Sequence, residues 1–522
     1  MAGKRGFHGD RKNVNRRPGK GRPAGFRRRD GGGRGGPRRR RSVRPVEPLI
    51  SSAELARGPR ARYVALKMLV EADDNDRYID HIFDERIRSG DVPTEDRHLV
   101  QEISFGAVRH RNTLDSILDH YIQFSMRRHH VAIRWGLRLA AYQLIYLSRI
   151  PSHAAIHGTL EAMKACGGLL VKDIGFTNAV LRRVHNDIHL KSEEAPDSND
   201  DRNSIPARHG WCRFDRPILP SMGANKKLYM AIKYSHPKWL LSRWLDRFGE
   251  DDTLALCTAN NRVPRVTAIL TGKEPSRAEV FDSLTESGVE IEEGVVAEAI
   301  RMRRPGDIRE LLPFQKGWIR IQDETAKLIG DALGPPPGAR VLDLCAGPGG
   351  KAAQLLEQIG PEGHLVACDV EDWKLQRVEE NLSSIGPNYT LHKLPRDARS
   401  VLNGAVEESF DYILADVPCS NTGVLARRPE ARWRIHPEDF ESLTTLQRDL
   451  LSSAVRKLAP GGKLVYATCS IEPEENGQVV AAALRSFPGL IEENSRLFLP
   501  QRDGADGGYY ATLRAPESGW EP

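Results

Sequence analysis

Between residues 61 and 188 apolar side chains recur at helical spacing with few interior prolines. Trp135, Leu139, Tyr142 and Tyr146 fall at i, i+4, i+7 and i+11, one stripe of a helix. The run predicts an all-α domain over 59–190 with that stripe in its core. A stretch rich in Asp, Asn, Ser, Pro and Gly follows at 191–226 and reads as a polar linker. From 227 to 333 the pattern is mixed, with a helix at 237–248 and strands at 266–270 and 317–321, and predicts a small α+β module. After the turn Gly334-Pro335-Pro336-Pro337-Gly338 the period changes again. Strand-like runs at 341–344, 365–368, 389–394, 412–415 and 463–468 alternate with helical patterns at 352–359, 373–385 and 440–458. This alternation predicts an α/β domain over 334–522 built on a parallel doubly wound sheet, with ligands at the carboxyl ends of its strands.

Charge adds a further segment. The chain of 522 residues carries a net +7, yet residues 1–45 hold 17 Lys and Arg against Asp10 and Asp30, which is +15. The remainder has 60 bases and 68 acids, or −8. Gly, Arg and Pro dominate the N-terminus, so residues 1–58 are expected to form a disordered basic tail drawn to phosphate backbones by charge. Seven cysteines, an odd number spread over a long chain, do not make a dense disulfide framework. The N-terminus lacks the apolar core of a secretory signal, and no apolar run approaches the ~20 residues of a membrane span. These features predict a cytoplasmic protein, monomeric, with no membrane partner and no metal.

The chemistry sits at the predicted strand ends. Val341-Leu342-Asp343-Leu344 runs into Cys345-Ala346-Gly347-Pro348-Gly349-Gly350-Lys351 and then a helix. Its glycines let the backbone pass close to a ligand near a positive helix N-terminus. Asp369 ends the next strand, where a carboxylate can accept from both ribose hydroxyls, and Asp397 and Asp416 follow the third and fourth. The turn departs from G-x-G-x-x-G, and Pro348 removes an amide that would otherwise hold a pyrophosphate. An adenosine cofactor without phosphates, S-adenosylmethionine, fits better than a dinucleotide. Two cysteines close the argument: Cys419 in Asp416-Val417-Pro418-Cys419-Ser420 and Cys469 in Tyr466-Ala467-Thr468-Cys469-Ser470 each follow a strand. Carbon 5 of a pyrimidine is a poor nucleophile until something adds to carbon 6. A thiolate from Cys469 or Cys419 can supply that addition, Asp416 can act near ring nitrogen 3, and the other cysteine can assist release. Arg427, Arg428, Arg432, Trp433 and Arg434, just past the Cys419 loop, are candidates to hold phosphates or stack on a base.

Three blocks, 345–351, Asp416-Val417-Pro418-Cys419-Ser420-Asn421-Thr422-Gly423 and Thr468-Cys469-Ser470-Ile471-Glu472-Pro473-Glu474-Glu475-Asn476, resemble the signatures of Sun-type RNA 5-methylcytosine methyltransferases. Within that family the chain most resembles the RsmB type, which methylates small-subunit (16S) ribosomal RNA. The resemblance implies that Cys469 attacks carbon 6 and Cys419 promotes resolution. It also implies S-adenosyl-L-methionine contacts from Cys345, Ala346, Gly347, Pro348, Gly349, Gly350 and Lys351 and from Asp369, Asp397 and Asp416. Gly347 stands where many members have Ala, and Tyr509-Tyr510 replaces a common Phe pair. Upstream, Asp96-Arg97, 105–111, 141–144 and 178–183 resemble a NusB-like RNA-binding helical domain. A non-catalytic assembly factor would not need Cys469, Cys419 and Asp416 together, and an amino-group methyltransferase would want Pro-Pro-aromatic where this chain has Val417-Pro418-Cys419. A methyltransferase acting on transfer RNA is the remaining rival.

Deleting residues 1–45 is expected to weaken RNA binding and flatten its dependence on salt, by about 0.7 in the log–log slope for each single-strand phosphate that is no longer neutralised. The modified position should stay the same. Binding titrations at several salt concentrations, with the methylated nucleotide mapped, check both outcomes.

Overall fold

A computed structural model describes residues 47–75, 77–196, 201–208, 210–272, 275–394 and 409–519. Most of the basic segment and Asp397 lie outside these residues. The N-terminal third is helical: α1 (Arg57–Asn75), α2 (Ile79–Arg88), α3 (Thr94–Arg109), α4 (Arg111–Asp119), α5 (Val131–Tyr146), α6 (Ser152–Cys166) and α7 (Val171–Asp187). The aromatic stripe is core, with Trp135, Leu139, Tyr142 and Tyr146 of α5 all buried. Residues 47–58, expected as part of the tail, are held instead: Leu55 is buried and the Leu49 amide donates to the Lys164 carbonyl at 2.8 Å.

The stretch 191–226 is not a plain linker. Strands β1 (Ile188–Ser192), β2 (Ser204–Ala207) and β3 (Gly210–Phe214) form an antiparallel sheet in the order β1-β3-β2. Few apolar side chains anchor it, among them the buried Ile205, Cys212 and Phe214, so its polar composition masks the pairing. Helices α8 (Lys226–Lys233), α9 (Lys238–Phe248) and α10 (Glu250–Asn261) follow. Their Tyr229, Leu240, Trp244 and Leu256 join the core of the helical domain rather than that of the small module. The module's own core gathers Ala268, Val280, Leu284, Ile300, Met302 and Ile319. It comes from β4 (Val266–Leu270), α11 (Arg277–Glu286), β5 (Glu290–Glu293), β6 (Ala299–Arg303), the short α12 (Leu312–Gln315) and β7 (Ile319–Ile321), in sheet order β5-β6-β4-β7.

In the C-terminal region α13 (Glu324–Leu333) leads into β8 (Arg340–Asp343), α14 (Gly350–Ile359), β9 (His364–Asp369), α15 (Asp372–Leu382), β10 (Tyr389–Lys393) and β11 (Phe410–Asp416). Then come α16 (Ala431–Arg434), α17 (Asp439–Val455), β12 (Leu458–Thr468), α18 (Gly477–Ser486), β13 (Ile491–Phe498), α19 (Pro500–Asp503) and β14 (Gly508–Arg514). Seven strands make one sheet in the order β10-β9-β8-β11-β12-β14-β13. Strand alternation covers both faces. Val341, Leu365, Leu414 and Val465 pack on α13–α15, while Leu342, Val366, Ile413 and Leu464 pack on α17 and α18. The sheet is mixed rather than wholly parallel, because β14 pairs antiparallel with both β12 and β13. The connection 499–507 is too short for a parallel crossover, and β13 is exposed along most of its length, so it lacks the apolar run that marks the other strands.

The segment after the Cys419 loop binds the domains together, which overturns its reading as an RNA clamp for all but Arg428. Arg432 is fully buried and donates to the Ser235 carbonyl (3.0 Å), Asn261 Oδ1 (2.8 Å), the Asn260 carbonyl (3.0 Å) and the Leu425 carbonyl (3.2 Å). Burial, reinforced by Arg109, pushes its guanidinium down to about 9. Arg427 pairs with Asp323 at 2.8 Å and with Asp506. Trp433 Nε1 donates to the Val108 carbonyl at 2.7 Å, and Arg434 to the Arg77 carbonyl. Arg432→Met keeps much of the volume but strands four buried acceptors. We expect it to cost about 3 kcal/mol or more, read as a lowered unfolding midpoint in a thermal or urea scan.

Candidate active site

The carboxyl ends of β8, β9, β11 and β12 converge, because adjacent parallel strands end at the same edge; Asp416 pairs in register with Ala467. Cys419 and Cys469, fifty positions apart, meet with their sulfurs 2.8 Å apart. Both are free thiols. Asn421 adopts a left-handed φ of 60°, which its short polar side chain tolerates. Its Oδ1 accepts from the Cys469 thiol at 3.3 Å and its Nδ2 donates to the Cys419 carbonyl at 2.9 Å. Gly423 is required for a different reason. A Cβ there would lie 2.5 Å from the Gly507 carbonyl oxygen and 2.9 Å from that of Cys469.

A carboxylate that the sequence reading passed over holds the two cysteine loops together. Glu475 is fully buried and accepts from the Ser420 amide (2.8 Å), Ser420 Oγ (2.5 Å), Ser470 Oγ (2.5 Å) and Gln447 Nε2 (3.0 Å). One charge thereby fixes both Ser420 and Ser470, each the residue after a cysteine. Glu472 of the same block, also fully buried, accepts from Trp244 Nε1 at 2.9 Å and pairs with Arg243, fastening the Cys469 loop to α9. Asn476 accepts from Thr468 Oγ1 at 2.6 Å. These acceptors account for the polar residues that follow Thr468-Cys469-Ser470. The Cys419 thiol is pushed well above the ordinary range by burial and then by Cys469 and Glu475.

Beside the sulfurs lies the glycine turn. Gly349 takes φ 107°, and a Cβ on it would press to 2.9 Å from the Val378 Cα of α15. The Asp369 carboxylate accepts from the Gly347 amide at 3.2 Å, the Glu371 amide at 3.1 Å and Lys374 Nζ at 3.3 Å. Lys351 reaches Asp416 with Nζ–Oδ2 2.6 Å. Burial alone would lower this ammonium, but Asp416 and Asp343 hold it above its ordinary value. Asp343, a second residue the sequence reading left out, ends β8 and is 1 % exposed. Among the described residues its carboxylate meets only the Cys345 backbone amide, in poor hydrogen-bond geometry. Burial and the Asp416 charge push it up to about 7. Its position at a strand end in Val341-Leu342-Asp343-Leu344 was the available signal. The Cys345 thiol is pushed well above its usual range by burial and the Asp369 and Asp343 charges, which makes it an inert wall. The turn is thus ringed by three carboxylates and two ammonium groups.

A family model described as 16S rRNA methyltransferase RsmB/F matches residues 331–514, a NusB family model matches 59–186, and an RsmF/B-like ferredoxin-like domain model matches 236–309. Ribosomal RNA small subunit methyltransferase B of Vibrio cholerae serotype O1 is 33 % identical over 429 residues, covering 81 % of this chain and 90 % of that protein. The chain belongs to the RsmB/F methyltransferase family. Ribosomal RNA small subunit methyltransferase B of Escherichia coli K12 is 31 % identical over 430 residues, 81 % of this chain and 91 % of its own. The crystal structure of PH0851 superposes with a TM-score of 0.69 at 22 % identity, covering 88 % of this chain and 99 % of that one, and shows the shared fold. In this family member the helical domain, the ferredoxin-like module and the methyltransferase sheet are continuous with the site just described. Among the described residues no helix is long and apolar enough to cross a membrane.

The raised Asp343 has a measurable consequence. A carboxyl held protonated by the fold favours folding fully below its unfolded value near 3.8 and loses that contribution as pH rises through about 7. The loss is at most about 4 kcal/mol at 1.36 kcal/mol per pH unit. Asp343→Asn cannot ionise, so the stability difference between this variant and the parent is expected to grow in favour of the variant between pH 4 and 7 and level off above. Urea midpoints of ligand-free protein across that range check the slope.

Proposed function

We infer that the protein methylates carbon 5 of a cytosine in small-subunit ribosomal RNA, with S-adenosyl-L-methionine as methyl donor and a cysteine adduct as intermediate. The observation that carries this reading is the 2.8 Å approach of Cys419 and Cys469 beside the Lys351–Asp416 pair. The relatives' names refer to small-subunit ribosomal RNA, which supports that substrate, and the cytoplasm is the matching compartment.

The residues of the turn fit the cofactor. A buried, poorly satisfied Asp343 and a ring with more carboxylates than ammonium groups suit a ligand that carries a sulfonium and an amino group, and disfavour a pyrophosphate. Cys345, Ala346, Gly347, Pro348, Gly349, Gly350 and Lys351 would line it and Asp369 would take its ribose, with Asp343 and Asp416 facing its cationic end. Asp397 is assigned to the same pocket on its strand-end position alone. When bound, the cofactor supplies an electrophilic methyl group.

The protein's own residues do the rest. Cys469, as thiolate, adds to carbon 6 of the flipped base and turns carbon 5 into an enamine-like nucleophile. Asp416 passes a proton to ring nitrogen 3, where negative charge develops, with the Lys351 ammonium beside it as the source. Cys419 keeps its proton at first, because burial, the charge of Cys469 and that of Glu475 all hold its thiol high. Bond formation consumes the Cys469 charge and so removes one of those causes. Cys419 then gives up its proton to solvent more readily, and once carbon 5 carries the methyl group the Cys419 thiolate takes the carbon 5 proton, after which Cys469 leaves as a thiolate and aromaticity returns. Glu475 ties the two cysteine loops together through Ser420 and Ser470.

Cys469→Ala is expected to lower methyl transfer to unmodified small-subunit ribosomal RNA by at least about a thousandfold while cofactor binding persists. Cys419→Ala is expected to accumulate a denaturation-resistant protein–RNA complex, and the double variant none. Denaturing gels with labelled RNA and a calorimetric measure of cofactor affinity check these outcomes; equal crosslinking by Cys469→Ala would exchange the two roles.

A further inference from the structure

The helical domain does not stand apart from the chemistry. Helix α2 is bound along α15, the helix that leaves the Asp369 loop. Arg88 donates to both carboxylate oxygens of Glu380 at 3.1 and 3.0 Å, and Asp84 pairs with Arg377. The first turn of α2 is anchored to the segment after the Cys419 loop: the Ile79 amide donates to Glu430 at 2.9 Å, and Asp80 pairs with Arg428 at 3.3 Å. Arg428 Nη1 also reaches Asn421 Oδ1, the same oxygen that accepts from the Cys469 thiol, at 3.1 Å. A continuous run of hydrogen bonds and ion pairs therefore leads from α2 through Arg428 and Asn421 to the reactive sulfur. Tyr78, just before α2, lies under the guanidinium groups of Arg428 and Arg434 and close enough to feel the charge of Cys469.

At the junction of α2 and α15 the His81 and Trp373 rings meet edge to face, with centroids 4.7 Å apart. Trp373 keeps 42 % of its surface exposed, unusual for an indole at a domain junction. Lys374, paired with Asp369, and Arg428, paired with Asp80, are both partly exposed and within electrostatic reach of His81. We propose that the His81–Trp373 pair is a stacking platform for an unpaired nucleobase next to the modified position, with Arg428 and Lys374 holding the adjoining phosphates, so that the helical domain supplies one wall of the active-site mouth. This rests on the RNA reading of the same site. An exposed aromatic face accepts any base, and flanking cations suit a polyanionic strand. His81 suits the role as a neutral ring, since burial lowers its proton affinity and Arg428, Lys374 and Arg77 reinforce this against the opposing pull of Asp80. An enzyme that extrudes its target must hold the neighbours it unstacks, and a platform joined to the nucleophile through Arg428 and Asn421 is placed to do so.

The test uses full-length protein, unmodified small-subunit ribosomal RNA made by transcription, and two variants. Trp373→Leu fills the junction but has no π-face; Trp373→Phe keeps one. A stacking role predicts RNA binding weakened about 5- to 100-fold in the Leu variant, close to parent in the Phe variant, with cofactor affinity unchanged in both. Equal RNA affinity in the Leu variant and the parent, or equal losses in both variants, would reduce the pair to packing and overturn the proposal. A loss confined to cofactor affinity would assign the ring to the cofactor instead and also overturn it. The parent protein separates the two levels: if it does not methylate the RNA, the functional reading and the platform fall together. If it methylates while the Leu variant binds normally, only the platform falls.

Discussion

One guanidinium with no access to water holds this architecture together. Arg432 sits in a segment that belongs to the methyltransferase domain, yet its acceptors are largely the carbonyls and amide of 235, 260 and 261, in and around the helices packed on the helical domain. Burying such a charge without a carboxylate is costly. The fold offsets the cost by meeting it with four oxygens in fixed directions, a geometry only a planar fork can use. Because the segment is pinned at Arg432, its neighbours are placed as well: Arg427 on Asp323 and Asp506, Trp433 on Val108, Arg434 on the end of α1 and Arg77. The Cys419 loop immediately before it inherits that rigidity.

A second buried charge does for the chemistry what Arg432 does for the architecture. Glu475 collects donors from the two loops that carry the cysteines, so a carboxylate adds to loop packing in holding the sulfurs side by side. The acidic ring around the glycine turn works differently. The Asp416 charge adds to the cost of ionising the buried Asp343 and Lys351 only partly relieves it, so the ligand-free site is electrostatically unsatisfied. Stability is given up there, as is common where a ligand with the complementary charge is to be received. The cysteine loops, by contrast, are tied by hydrogen bonds on both sides.

Much of the methyltransferase region was legible along the chain, because buried parallel strands are apolar on both faces and the strands at 341–344, 365–368 and 463–468 stand out against helices of 3.6 periodicity. That the glycine turn, Asp369, Asp416, Cys419 and Cys469 would meet at one edge of the sheet was legible too, since each of them ends or follows a strand. The edge strand β13 with its antiparallel neighbour β14, the small sheet at 188–214 and the true partners of α8–α10 were not. Those elements are held by a few long-range interactions, and local pattern carries no record of which distant surface a side chain will meet.

The sequence by itself therefore determined the kinds of element, their order and the chemical groups at the strand ends, because these depend on periodicity and residue type over short spans. Only the tertiary structure decided which charged groups serve the fold. Arg427, Arg432 and Arg434 read as a phosphate clamp along the chain and prove to be the seam between domains. Glu475 and Asp343 read as ordinary acids, yet one ties together the two loops that carry the thiols and the other is a buried carboxyl short of hydrogen-bond donors. A charge acquires its role from what surrounds it in space, through desolvation and hydrogen-bond geometry, and those are fixed only when segments hundreds of residues apart are brought together.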